Sequence, residues 1–197
     1  MIPVGITGSL NSGKSATARI FKKLGARVFD ADLSARRALA KGKPSHRAIV
    51  KLFGKRFLGR GGQIDRKKLA DHVFHHPADL KKLNILIHPG VIVECMAMIE
   101  RLQKKKGILA LDVPLLYEAG MEDLARYVIV VRASKARMIA RAAVKGMSRS
   151  LALKILSTQW PIERKARHAD FVIDNNGTPK SLERRVKGVF AELKRKI

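Results

Sequence analysis

The sequence predicts an α/β protein in which parallel strands alternate with helices, and three observations predict it. A short apolar segment, Pro3-Val4-Gly5-Ile6-Thr7, runs through a glycine-containing loop into a stretch where Ile20, Phe21 and Leu24 have helical spacing. Further short apolar segments recur at 28–29, 108–111, 127–131 and 171–173 with helical stretches between them, the alternation a parallel sheet needs. The loop itself, Gly8-Ser9-Leu10-Asn11-Ser12-Gly13-Lys14-Ser15, matches G-x-x-x-x-G-K-S/T at the junction of strand and helix, which is where that spacing has a physical meaning.

A tight turn there exposes successive backbone N–H groups, and the helix behind it adds partial positive charge, so a polyphosphate can replace water. Gly8 and Gly13 supply backbone freedom, Lys14 is placed to bridge phosphate oxygens, and the Ser15 hydroxyl is placed to ligate Mg²⁺. Nucleotide binding follows.

Gly25 ends the first helix, and Ala26-Arg27-Val28-Phe29 reads as a second strand running into Asp30-Ala31-Asp32. If strand geometry continues, both carboxylates face one side at the strand end; the competing reading makes either an N-cap for the helical stretch after it. From about residue 33 to 106 short helices dominate: 45–53, then 66–74 capped by Asp65, then 79–87 and 90–103, the last two each opened by a proline, Pro77 and Pro89. An insertion of that length exceeds what a crossover needs and predicts a second, substrate-binding lobe. His88 precedes Pro89 and reads as a packing or hydrogen-bonding residue before it reads as a catalyst. Ile108-Leu109-Ala110-Leu111-Asp112 is a strand ending in an acid, either a Mg²⁺-shell carboxylate acting through water or a loop-initiating Asp. Residues 134–158 are helical and basic, broken at Gly146, with Arg137, Arg141 and Lys145 spaced to share one helical face. A last strand enters Asp174-Asn175-Asn176-Gly177, and Thr178 with Pro179 opens the final helix.

A chain of 197 residues accommodates one domain, or one core with a substantial insertion. The single cysteine, Cys95, rules out an internal disulfide and a cysteine-based metal framework and fits core packing. No secretion-type leader and no apolar run of membrane-spanning length is expected, which predicts a cytoplasmic protein without a membrane partner. Lys and Arg number 41 against 16 Asp and Glu, a formal charge of +25 that implies anionic partners. The basic residues are spread from Arg19 to Lys196 and aromatics make up only 5%, so a solvated basic surface is favoured over a specific nucleic-acid site.

The ordered set of the loop, Val28-Phe29-Asp30-Ala31-Asp32 with Arg36, His88-Pro89, Asp112-Val113-Pro114-Leu115-Leu116-Tyr117-Glu118, Gln159 with Pro161 and Glu163, and the run Ala169 to Asn175 resembles the dephospho-coenzyme A kinases, which phosphorylate the ribose 3′-hydroxyl of dephospho-CoA with ATP. The resemblance covers nearly the whole chain. It implies a P-loop NTPase fold of three α/β/α layers with a five-stranded parallel sheet, built from 1–32, 107–132 and 159–197. It also implies a helical CoA-binding insertion at 33–106 and a helical lid at 133–158. By resemblance Asp32 receives or orients the 3′-hydroxyl proton, and Lys14 and Arg141 meet the phosphates. The nucleotide contacts fall to Gly8, Asn11, Ser12, Gly13, Lys14, Ser15, Ala16 and Asn175. Arg36, His88 and Leu116 join Asp32 on the acceptor substrate, and Ser15, with Asp112 through water, attends Mg²⁺. The family loop usually reads G-G-I-G-S-G-K-S-T, whereas Ser9, Asn11 and Ala16 stand here, and Lys145 stands where a second arginine is common. A related nucleoside or nucleotide kinase and a basic nucleic-acid-binding P-loop ATPase are the alternative functions.

Overall fold

The structure is a computed structural model, and it describes residues 1–196. The chain divides into two compact units, Met1–Ala31 with Cys95–Ile197, and Asp32–Glu94.

The first unit is built on five parallel strands: β1 (Ile2–Thr7), β2 (Arg27–Asp30), β3 (Ile108–Asp112), β4 (Tyr127–Arg132) and β5 (Phe171–Asp174), in the order β2-β3-β1-β4-β5. The three central strands are almost wholly buried, which explains their near-continuous apolar sequence. Helices α1 (Lys14–Lys23) and α9 (Pro179–Arg195) cover one face. From α1 come Ala18 and Phe21, and from α9 come Leu182, Val186, Phe190 and Leu193, all packed on Val4, Ile6, Ala110, Ile129 and Ile173. Phe21 and Phe190 meet edge to face at 5.2 Å. The Thr178 hydroxyl caps α9 by accepting from Ser181 N–H, with Pro179 in the first turn as its spacing predicts. The register sets Ile6 beside Asp112 and Thr7 beside Val130, so the loop after β1 and the acid ending β3 emerge together at the carboxyl edge, where open α/β sheets bind ligands.

Helices α6 (Lys135–Val144) and α7 (Arg149–Ser157) form the basic segment, with Gly146 at φ +74° between them, and α8 (Ile162–Arg167) precedes β5. Leu116 fills the place beside Gly5 on β1, where any added Cβ would stand 3.0 Å from its Cδ2.

The second unit holds α2 (Ala31–Ala38, from Asp32), α3 (Pro44–Phe53), α4 (Arg66–His75) and the first part of α5 (Pro77–Leu102). Its core joins Ile49, Phe53, Phe57, Ile64, Leu69, Val73 and Leu83. Asp65 caps α4 through Lys68 N–H at 3.0 Å, as its position predicts. The Glu94 carboxylate accepts from Ser34 Oγ at 2.5 Å and from Arg37.

Three expectations are corrected. Asp32 does not continue strand geometry: β2 stops at Asp30 and Asp32 stands in the first turn of α2, so the two carboxylates are not paired by strand alternation. A carboxylate in a first helical turn is favoured by the unsatisfied N–H groups there, which is why the helix starts as early as it does. Pro89 does not open a new helix but lies inside the single 26-residue α5. It deprives the Ile85 carbonyl of its donor, yet Ile85 is 62% exposed and solvent can take that carbonyl, while buried Leu83, Val91, Cys95 and Leu102 keep helical spacing across the proline. Consequently α5 is, by length and composition, long and apolar enough to cross a membrane, with mean hydropathy 1.5, against the expectation that no run reaches that length.

Candidate active site

The loop from β1 to α1 bends through Asn11, the one non-glycine residue at positive φ (+55°) among the described residues, and through Gly13 at φ +111°. Asn tolerates this region better than other side chains, so Asn11 can hold the turn. The Ser12 N–H donates to the Ser9 carbonyl at 3.1 Å and closes the turn. Gly8 and Ser12 are buried, Ser15 is exposed in the first turn of α1, and Ala16 packs against the sheet core.

Lys14 lies under the loop with its Nζ 2.8 Å from Asp112 Oδ1, and both side chains are about nine-tenths buried. The pairing of strands β1 and β3 makes this meeting possible, and low local dielectric strengthens it. No arrangement of three or more His, Cys, Asp or Glu side chains able to hold a metal ion occurs among the described residues.

The loop is braced from outside by three elements. Asn175, buried just beyond β5, donates from Nδ2 to the Ser12 carbonyl at 2.7 Å, and its backbone N–H donates to the Arg132 carbonyl at 2.8 Å. Arg141 of α6 donates from Nη1 to the Asn11 and Ser12 carbonyls, each at 3.1 Å, and from Nη2 to the Asn175 carbonyl at 2.9 Å. Gln159 Oε1 accepts the Leu10 N–H at 3.0 Å. Lys145, the α6 C-cap, donates to Asn11 Oδ1 at 2.7 Å. Of the three basic residues spaced along α6, Arg141 and Lys145 thus engage the loop, while Arg137 is exposed.

Behind Asp112, the Pro114 carbonyl accepts from Thr7 Oγ1 at 3.0 Å and from Lys165 Nζ at 3.3 Å, and Lys165 pairs with Glu118 at 2.8 Å. Burial is the largest influence on Lys165 and pushes its ammonium down. The Glu118 hydrogen bond and charge oppose that, and the Lys14 charge adds to it. Nothing in the spacing singles out Lys165, because one lysine among 41 basic residues carries no signal until α8 turns it inward. The Asp174 carboxyl is held low: burial raises it, but hydrogen bonds from Asn176 and the charges of Arg185 and Arg132 outweigh that.

Asp32, Arg36 and His88 belong to the second unit, Asp32 and Arg36 as exposed residues of α2 and His88 as a half-buried residue of α5. Leu116 lies in the first unit with no exposed surface, so its side chain serves packing.

The geometry is that of a phosphate-binding loop on a parallel sheet, and the comparisons agree with it. The family model described as CoaE, dephospho-CoA kinase, matches residues 2–181. A curated dephospho-CoA kinase of Enterococcus faecalis is 38% identical over 188 residues, covering 93% of each chain. Among solved structures, the Thermus thermophilus protein TT1252 superimposes with a TM-score of 0.77 at 35% identity over 98% of this chain and 97% of its own. A dephospho-CoA kinase from Campylobacter jejuni does so with a TM-score of 0.71 at 27% identity, over 97% and 96%. With the five-stranded P-loop sheet, the Lys14–Asp112 pair and these matches over nearly its full length, the chain belongs to the dephospho-CoA kinase family.

Proposed function

We propose that this protein transfers the γ-phosphoryl group of ATP to the ribose 3′-hydroxyl of dephospho-CoA, giving CoA and ADP, as a cytoplasmic enzyme. The observation that carries the reading is Lys14, buried under the glycine-bounded loop and held on Asp112 at 2.8 Å, in a chain of this family. Phosphate oxygens arriving at the loop compete with Asp112 for the Lys14 ammonium, and the N–H groups at the start of α1 take the remaining charge.

Arg141 spends three N–H groups on carbonyls and has two more for a phosphate, so it both braces the loop and neutralises charge on the nucleotide. Asn175 supports the same loop from the side assigned to adenine. Residues 133–158 act as the lid in this reading, and 33–106 as the lobe that binds the acceptor through Arg36 and His88. Asp32, an exposed carboxylate, accepts or orients the 3′-hydroxyl proton so that the oxygen attacks in line.

The Ser15 hydroxyl and the Asp112 carboxylate are hard oxygen donors on adjacent segments, a set that fits Mg²⁺ shared with substrate phosphates and not an all-protein metal cage. Bound there, Mg²⁺ would neutralise charge on the transferring group. The basic surface serves anionic small molecules, with no specific nucleic acid among the partners.

The test is a coupled assay with purified protein, ATP and a panel of dephospho-CoA, nucleosides and nucleotides. ATP consumption dependent on dephospho-CoA is expected, and Asp32→Asn is expected to lower kcat by about 10²–10⁴. Turnover indifferent to dephospho-CoA, or an Asp32→Asn variant at full rate, defeats the assignment.

A further inference from the structure

Phosphoryl transfer as described makes no use of Lys165, although it is the only lysine among the described residues with no exposed side-chain surface. Its Nζ lies 2.8 Å from Glu118 Oε1 and 3.3 Å from the Pro114 carbonyl. The same Oε1 accepts the Trp160 backbone N–H at 2.7 Å, and the Pro114 carbonyl also accepts the Thr7 hydroxyl at 3.0 Å. The turn Asp112-Val113-Pro114 is therefore tied at one carbonyl from two sides, by β1 through Thr7 and by α8 through Lys165. Asp112, which opens that turn, holds the Lys14 ammonium.

Stability alone is a poor reason for such a pair. Two charges withdrawn from water recover their desolvation only with complete hydrogen bonding, and apolar replacements often serve as well. Here the bonding is incomplete, because Glu118 Oε2 is buried without a hydrogen-bond partner among the described residues. What the pair supplies is direction. An ammonium fixed between a carboxylate and a carbonyl sets the height of the turn behind the phosphate loop, and the Lys165 and Lys14 charges also act on each other there. Trp160 and Gln159, neighbours in sequence, extend the same bracing to Glu118 and to Leu10 of the loop.

We propose that Lys165 is a positioning residue for phosphoryl transfer, acting through Glu118 and the Pro114 carbonyl to fix the turn that presents Asp112 to Lys14. The inference rests on the kinase reading, and a wild-type sample assayed alongside the variants keeps the two separable.

Lys165→Met alone strands a buried carboxylate and is expected to lose stability whatever its role. The informative variant is the double change Lys165→Met with Glu118→Gln, which removes both charges and keeps the volume. Its melting temperature is expected within a few degrees of wild type, with ATP affinity by equilibrium titration changed less than about threefold and kcat for dephospho-CoA lowered about 10–100-fold. A folded double variant with kcat within about threefold of wild type overturns the proposal. So does a fall in ATP affinity equal to the fall in kcat, which marks general loosening of the loop. If the double variant does not fold, Glu118→Gln alone is read by the same criteria. A wild type that leaves dephospho-CoA unphosphorylated defeats the functional reading and this inference with it, whereas an active wild type beside an unimpaired variant defeats the inference alone.

Discussion

Replacing Gly13 by alanine tests whether the phosphate loop is held in shape from outside or by its own backbone. Gly13 sits at φ +111°, and a Cβ there would stand 2.0 Å from Asn175 Nδ2, far inside contact distance. Two costs follow. The backbone conformation is one that side-chain-bearing residues rarely adopt, worth about 1–3 kcal/mol. Asn175 must also withdraw, which breaks its 2.7 Å bond to the Ser12 carbonyl in a buried place and costs about 1–3 kcal/mol more. The sum, about 2–6 kcal/mol, lowers the melting temperature on the order of 10 °C for a chain of this size. In an Asn175→Ala background the second cost is already spent, so Gly13→Ala should then cost only about 1–3 kcal/mol. Urea unfolding of the four proteins in this cycle measures the coupling. Equal costs of Gly13→Ala in both backgrounds would refute the idea that Asn175 clamps the loop.

Asn11→Ala is expected to destabilise by about 1–2 kcal/mol because alanine resists the left-handed turn, whereas Asn11→Gly should fall within about 1 kcal/mol of wild type. Both lose the exposed Lys145 contact, so thermal melts of the two isolate the backbone term. The Tyr117 hydroxyl is buried without a hydrogen-bond partner among the described residues, and burial first, then the Asp170 and Glu122 carboxylates, push its pKa up to about 12. Because the folded value lies above the ordinary 10.0, the neutral phenol's contribution is complete below pH 10 and is lost as pH rises toward 12. Urea midpoints measured from pH 9 to 12 should therefore fall more steeply for wild type than for Tyr117→Phe; parallel curves would contradict the burial argument.

Much of this was legible in the residues because local rules and tertiary outcome coincide. The spacing Gly8 to Ser15 needs only a strand before it and a helix after it, and both are written in the adjoining apolar pattern. Thr178 and Asp65 cap helices through hydrogen bonds that reach three residues along the chain, so sequence distance and spatial distance are the same thing there. At Pro89 the local rule failed, since packing along one helical face outweighs the single hydrogen bond a proline removes. Strand alternation likewise failed for Asp30 and Asp32, because β2 ends at Asp30 and the unsatisfied N–H groups of the first turn of α2 favour the Asp32 carboxylate there.

By itself the sequence determined the α/β alternation, the phosphate loop and the chemistry that its lysine and serine can perform, all consequences of spacing along the chain. Only the tertiary structure decided that Lys14 rests on Asp112, 98 residues away, that Arg141 and Asn175 converge on Ser12, and that Asn11 answers Lys145. It also decided that one lysine among many is turned inward to Glu118. Backbone propensity acts over a turn or two, but charges and carbonyls find partners by proximity in space, and the order of strands in the sheet sets that proximity.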